Sequence, residues 1–264
     1  MKKIILLTGT EPRHNYFKQY LASQLEIHST YCEGLELSLE NQNKGANQVI
    51  QDYIQERKDS EINYFSDLQK EDNSRSMYIK KGEINNLCIQ NEIIKSSPDL
   101  VLCFGSSIIK EPLVSFLEGK CINMHLGLSP YYRGSGTNYH ALVDGYPEYV
   151  GITFLFLDPG IDTGHIIHQI QADYHLNDTV HDIGHRLIKK GIHMLPKLAK
   201  LYPNFELEET KSSVSGKLVK RKDFTTASIR QLKNNLKNDM IQNYLNNKLC
   251  RNVHLIQQKA IMYQ

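Results

Sequence analysis

The 264-residue chain is predicted to be an α/β protein: a mostly parallel central sheet with helices on both faces, and a small C-terminal hairpin-helix extension. Three observations predict it. Short apolar runs alternate with helix-like stretches through the first three quarters of the sequence, as in strands joined by crossover helices. Those runs are short and apolar throughout, as strands covered on both faces require. Beyond Pro203 the alternation stops and the composition turns basic.

The elements follow in order. Residues 3–8 read as a strand and 16–25 as a helix, with Phe17, Leu21 and Leu25 as its apolar positions. Residues 26–32 form a second strand. A long polar helix covers 47–68, its apolar members being Val49, Tyr53, Ile54, Phe65 and Leu68. Another helix covers 84–94 and is closed by Ser96-Ser97-Pro98. Short buried strands at 100–104 and 120–123 flank a helix started by Pro112. Two β-like stretches, 150–157 and 166–172, enclose a glycine-rich turn. The last long helix runs from 179 to 201, and Pro196 is expected to kink or split it. Residues 215–224 then read as a hairpin, and 228–245 as a helix through Ile229, Leu232, Leu236, Met240 and Leu245. The chain divides into a main domain, 1–202, and an extension, 203–264.

Hydrophobic residues make up 40% and charged residues 23%, a globular composition. Mean hydropathy is -0.44, and no apolar run approaches the length of a membrane span. The apolar opening, Ile4 to Leu7, is too short for a leader and gives way at once to Thr8-Gly9-Thr10-Glu11-Pro12-Arg13. Five scattered cysteines, Cys32, Cys88, Cys103, Cys121 and Cys250, contain no C-x-x-C pair. They suggest neither a disulfide framework nor a thiolate zinc site, and a reducing cytoplasm fits. Cys103 and Cys121, in apolar runs, are expected to be buried thiols. Residues 203–264 hold 11 Lys and Arg against 5 Asp and Glu; that local +6 within a total of +2 leaves -4 for the first 202 residues. A basic end favours an anionic substrate or partner, or is a solvated face.

In parallel sheets ligands bind outside the carboxyl ends of the strands. Residues 8–13, 105–109 and 123–125 are therefore expected on one rim. Asn123 and His125 are two apart at a strand end, so their side chains share a face. The turn-rich stretch Asp158-Pro159-Gly160-Ile161-Asp162-Thr163-Gly164 brings an acid near the same rim. A carboxamide, an imidazole and a carboxylate suit acyl transfer. The amide can donate to the oxyanion of a tetrahedral intermediate. The imidazole can take a proton from an attacking amine, and the carboxylate can orient it or serve the leaving nitrogen. No Ser or Cys occupies a nucleophile elbow, which favours direct transfer over an acyl-enzyme. Singly, each residue also has a plain structural reading as a cap, a surface group or an Asx turn; the combination carries the specificity.

In these residues the chain resembles the formyltransferase family, which includes methionyl-tRNA, glycinamide ribonucleotide and amino-sugar formyltransferases. The family pattern of Asn-x-His, Pro, a basic-Gly pair and an acidic Asp-x-Gly loop appears as Asn123-Met124-His125, Pro130, Arg133-Gly134 and Ile161-Asp162-Thr163-Gly164. Gly151-Ile152-Thr153 matches the Gly-Val-Thr step before the acidic loop. One departure is Gly127-Leu128-Ser129-Pro130, where relatives commonly have Ser-Leu-Leu-Pro. The likeness covers residues 80–172 well and the first 200 loosely.

The resemblance implies a Rossmann-like fold, a catalytic trio of Asn123, His125 and Asp162, and 10-formyltetrahydrofolate as formyl donor. It places the donor's pterin, mainly through backbone contacts, against Phe104, Gly105, Ser107, Ile109, Asp158 and Gly160. Acceptor contacts are expected from Arg13 and His14 in the first loop and from Arg133 and Gly134. The expected partner is a small-molecule amine of anionic character; nucleic acid and membrane are not expected partners, and a homodimer is open.

The segment after Pro203 is too short for the barrel-like domain of methionyl-tRNA formyltransferases, and the build is closest to amino-sugar N-formyltransferases acting in polysaccharide biosynthesis. Methionyl-tRNA, a purine precursor, or simple hydrolysis of the donor are the alternatives. His181-Asp182-Ile183-Gly184-His185 imitates a zinc-binding helix, but Asp is shorter than the Glu that motif needs, and no metal is assigned. His165 and His168 read as strand residues near the site. Lys217, Lys220, Arg221 and Lys222 read equally as a nucleic-acid patch or as a charged edge strand.

Overall fold

The computed structural model describes residues 2–34, 47–66, 72–207, 216–247 and 251–262. Leu68, Ser215 and Cys250, named above, lie outside them. In chain order the elements begin β1 (Ile4–Thr8), α1 (Pro12–Gln24), β2 (Ile27–Glu33), α2 (Gln48–Tyr64), β3 (Ser76–Ile79), α3 (Leu87–Ser96) and β4 (Leu100–Phe104). They continue with α4 (Leu113–Phe116), β5 (Cys121–His125), β6 (Tyr132–Gly134), α5 (Thr137–Val143), β7 (Gly151–Phe156) and β8 (Ile166–Gln171). The last are α6 (Val180–Leu201), β9 (Lys217–Val219), α7 (Thr226–Lys237), α8 (Met240–Leu245) and α9 (Lys259–Met262).

Seven strands form one sheet in the order β3-β2-β1-β4-β5-β7-β8. The first five are parallel to their neighbours; β7 and β8 are antiparallel additions on the β5 side. Strand β1 shows why the fold needs two helical layers. Its Ile4 and Leu6 belong to one apolar cluster with Phe17 and Leu21 of α1 and Leu187, Ile192 and Leu195 of α6. Ile5 and Leu7 belong to another, with Ile93 of α3 and Leu113 and Val114 of α4. Successive side chains go to opposite faces, and both faces are covered. Leu6 and Leu7 are both 0% exposed, each burial worth roughly 1.5–3 kcal/mol.

Several expectations change. Pro196 does not split α6, which runs unbroken from Val180 to Leu201. A capping box of Thr179 and Asp182 starts it, and Ile183, Leu187, Ile188, Ile192, Leu195 and Leu198 bury one face, so packing outweighs the one hydrogen bond proline removes. The helix expected over 228–245 is two, α7 and α8, separated at Asp239, whose φ of 55° is left-handed. The expected hairpin over 215–224 is also corrected. Its described part, β9, pairs in parallel with β6, Gly134 opposite Val219. Helix α7 then packs on α5: Asn235 Nδ2 donates to the carbonyls of Leu142 and Val143 at 2.9 and 2.8 Å, capping that helix. Downstream, the Gln169 N–H donates to the Ile256 carbonyl at 2.7 Å, so the chain covers the β8 edge.

Candidate active site

The strand order reverses between β1 and β4, and a cleft of about 1010 Å³ opens at the carboxyl ends of the central strands. Strand β5 delivers two of the expected residues to it. Its Cys121 belongs to the α3 and α4 face while Ile122 and Met124 belong to the α1 and α6 face. Asn123 and His125 therefore share the Cys121 side. Asn123 is half-buried and lines the cleft; His125 is 8% exposed.

Asp162 arrives from the loop between β7 and β8, held by a left-handed φ of 53°. Its Oδ1 lies 3.3 Å from His125 Nδ1, and its Oδ2 accepts the Gly134 N–H at 3.0 Å. His125 Nε2 stands 3.4 Å from the Tyr132 carbonyl. Burial pushes the His125 pKa below the ordinary histidine value, opposed by the Asp162 carboxylate and the Tyr132 carbonyl. The imidazole is neutral near pH 7.

Two loops are shaped by local chemistry. Asp158 accepts from the Gly160 N–H at 3.1 Å and from the Thr163 hydroxyl at 2.7 Å, folding the acidic loop on itself. The loop after His125 is fastened to β7 and β8. Thr153, opposite His125 in the β5–β7 ladder, donates its hydroxyl to the Gly127 carbonyl at 2.7 Å and accepts the Ser129 N–H at 2.9 Å. Gln169 donates to the Ser129 carbonyl at 2.7 Å. The Thr of the Gly151-Ile152-Thr153 step thus buttresses the residues after Asn-x-His.

Phe104, Gly105, Ser107, Ile109, Asp158 and Gly160 all line the cleft, as do Arg13, His14 and Gly134. Arg133 is not among the lining residues, and its Nε is buried with no hydrogen-bond partner among the described residues. The first loop differs chemically from its expected anion-binding use. Arg13 Nη1 lies 2.8 Å from both Glu61 carboxylate oxygens, and Glu11 pairs with the same guanidinium. Burial lowers its pKa to about 10, so the charge persists but is already balanced. Burial, then the nearby Arg13, pushes His14 well below the ordinary histidine range. Its ring fills the space between two glycines: a Cβ on Gly9 would come within 2.5 Å of it and one on Gly105 within 2.2 Å. His14 is a neutral wedge across the sheet's reversal point, edge-on to Phe104 at 5.0 Å.

Glu33 and Glu61 were not singled out from the sequence. Glu61 is 4% exposed and takes Arg13; Glu33, at the end of β2, is 2% exposed and lines the cleft. A charged residue on a polar helix or at a strand end carries no local signal of burial. His168 lies in β8, 2% exposed, with burial holding its pKa at about 4. His181 and His185 stack at 6.3 Å within α6. No His, Cys, Asp and Glu cluster of metal-binding geometry occurs among the described residues. Cys103 and Cys121 are buried, and no described helix is long and apolar enough to cross a membrane.

Residues 36–198 match the family model described as formyl transferase. The chain belongs to the formyl transferase family. Among curated members of that family, the methionyl-tRNA formyltransferase of Buchnera aphidicola subsp. Acyrthosiphon pisum (strain Tuc7) is 30% identical over 146 residues, 53% of this chain and 46% of the relative. The match therefore spans about half the length of that protein. Solved formyl transferase structures share the fold. A sugar N-formyltransferase from Shewanella superposes with a TM-score of 0.58 at 18% identity, covering 89% of this chain and 88% of the other. The formyltransferase PseJ from Anoxybacillus kamchatkensis, in complex with UDP-4,6-dideoxy-4-formamido-L-AltNAc and tetrahydrofolate, superposes at 0.51 and 18% identity, covering 87% and 97%.

Proposed function

We propose that the chain is an N-formyltransferase that moves the formyl group of 10-formyltetrahydrofolate to the amine of a nucleotide-linked amino sugar by direct attack. The observation that carries this reading is the His125–Asp162 contact beside Asn123 in the cleft. The acceptor nitrogen attacks the formyl carbon, and the carbonyl oxygen becomes an oxyanion that the Asn123 amide meets with a hydrogen bond. His125, neutral through burial, takes the proton from the attacking amine. Asp162 orients the imidazole and stabilises its protonated form. The tetrahedral centre collapses by breaking the bond to N10 of the folate, and that nitrogen leaves with a proton returned from His125 directly or through water held by Asp162. The donor's pterin lies against the 104–109 and 158–160 segments. Residues 1–202 form the catalytic domain, and the 203–264 extension borders the acceptor side.

The sugar acceptor is supported by the two solved structures, whose match covers most of this chain. A second reading, transfer to methionyl-tRNA, is supported by the curated relatives. The protein is incubated with 10-formyltetrahydrofolate and a panel of amino-sugar nucleotides, following tetrahydrofolate release and product mass. Acceptor-dependent turnover on a sugar supports the proposal. Turnover only with methionyl-tRNA moves the acceptor to the second reading, and formate release without any acceptor makes the protein a hydrolase.

A further inference from the structure

The 105–109 loop lines the cleft, yet residues 106–109 make no backbone–backbone hydrogen bond with any other described residue. Their shape is set instead by side chains from three other elements. The Ser107 N–H donates to the Glu33 carboxylate, from the end of β2. Asn85, in the short turn before α3, grips the loop twice: its Nδ2 donates to the Ile108 carbonyl at 2.9 Å, and its Oδ1 accepts the Lys110 N–H at 2.8 Å. Gln90 of α3, 0% exposed, donates to the Lys110 carbonyl at 3.1 Å. Glu33 is itself fixed by the Gly82 N–H at 2.8 Å and by Lys81 Nζ at 3.3 Å.

We propose that Glu33, Asn85 and Gln90 are positioning residues for the formyl donor, bracketing the 106–110 main chain in the one shape whose remaining N–H and C=O groups read the edge of a fused, hydrogen-bonding heterocycle. The inference rests on the donor assignment above and deepens it. A loop without a ladder of its own relaxes among many conformers, and each is a cost that ligand binding must meet. The brackets spend that ordering in the folded protein. They also divide the loop's polar groups. The Ser107 N–H, the Ile108 carbonyl and both polar groups of Lys110 are occupied by protein, and the Ser106 N–H is taken by the Cys103 thiol; the N–H groups of Ile108 and Ile109, which meet no acceptor among the described residues, are left for a ligand. Asn85 is the informative member because it holds two points of the loop yet sits at the protein's rim, where water can take over its bonds.

The test uses the full chain and tetrahydrofolate, with no acceptor present, in an equilibrium titration by calorimetry. Asn85→Ala is expected to raise the Kd for tetrahydrofolate about tenfold, and the KM for 10-formyltetrahydrofolate in parallel. The acceptor KM should hold steady, and kcat at saturating donor should fall far less than the donor KM rises. Asn85→Asp keeps the acceptor for the Lys110 N–H and loses the donor to Ile108, so it should recover part of the affinity. Glu33→Gln tests the second bracket in the same way if Asn85→Ala loses its thermal transition. Unchanged tetrahydrofolate binding in both folded variants overturns the proposal and leaves the donor assignment standing. Equal losses in donor affinity, acceptor affinity and kcat also overturn it, because general loosening predicts that pattern. A wild-type chain that binds no tetrahydrofolate sinks the donor assignment and this inference together.

Discussion

His125 Nδ1 and Asp162 Oδ1 stand 3.3 Å apart, while the second oxygen of the same carboxylate is tied to the Gly134 N–H at 3.0 Å. The acid is held at both ends, so it fixes where the imidazole points as well as its charge. Burial lowers the His125 pKa and Asp162 raises it. The acidic limb of kcat/KM against pH, where the base is lost to protonation, should therefore fall below the ordinary histidine range near 6.5. Asp162→Asn removes the raising contribution, so the limb should move lower still while the rate at its plateau drops. A limb that moves upward in this variant would contradict the assigned pairing.

Asn123 is assigned to the oxyanion, a charge that exists only in the tetrahedral species. Asn123→Ala should lower kcat by about 10²–10³-fold with tetrahydrofolate affinity nearly unchanged, measured by steady-state kinetics beside a binding titration. His125→Ala should lower turnover by at least about a hundredfold. Near-normal rates in either variant remove that residue from the mechanism.

Gly134 combines a φ of 99° with a close approach: a Cβ there would lie 2.2 Å from the Val219 carbonyl oxygen. Gly134→Ala should destabilise the fold by about 1–3 kcal/mol and disturb the N–H that anchors Asp162. Loss of kcat at a temperature where circular dichroism still shows a folded protein is the expected result. An alanine variant with wild-type melting and wild-type kcat would show that the β6–β9 joint does not constrain the acid.

Acid sensitivity follows from the buried histidines. Burial is the main cause that holds His168 and His185 at about 4, and both His185 ring nitrogens are buried with no hydrogen-bond partner among the described residues. The folded pKa lies below the unfolded value near 6.5, so the unfolded chain takes these protons first. Their contribution to stability is full above about pH 6.5 and is lost as pH falls toward 4, on the order of 1–3 kcal/mol for each. The urea midpoint should be lower at pH 5 than at pH 7. His185→Phe, packed against Tyr64 and Phe65 as the native ring is, should narrow that difference. The same gap in variant and wild type would place the acid sensitivity elsewhere.

The central strands were readable because β1 and β4 are apolar at nearly every position and β5 is so except for Asn123 and His125, a consequence of being covered on both faces. Asn123 and His125 were readable because a strand's period of two is local. The parts that escaped are those set by distant partners. Strands β6 and β9 are three residues each, too short for any period, and they exist because they pair with each other across more than eighty residues. Helix α5, seven residues long, carries no clear apolar stripe and is held by Asn138, which exchanges hydrogen bonds with Gly151 at 2.9 Å in both directions. Arg13 reads as an acceptor contact in the sequence because its bidentate partner, Glu61, lies on another helix. Composition and spacing report chemistry within a turn or a strand; ion pairing across the fold lies beyond them.

The β6–β9 pairing has a consequence for the order in which the molecule becomes competent. Strand β6 supplies the N–H that tethers the acid, and its only strand partner among the described residues is Lys217–Val219. Chains fold from the amino end as they emerge, and the seven-stranded sheet is complete by Gln171. A nascent or clipped chain lacking residue 217 onward would present Asn123, His125 and Asp162 in the right sheet with the tether unbraced. If the proposed mechanism holds, the last quarter of the polypeptide is expected to act as a completion signal, because it braces the strand that tethers the acid.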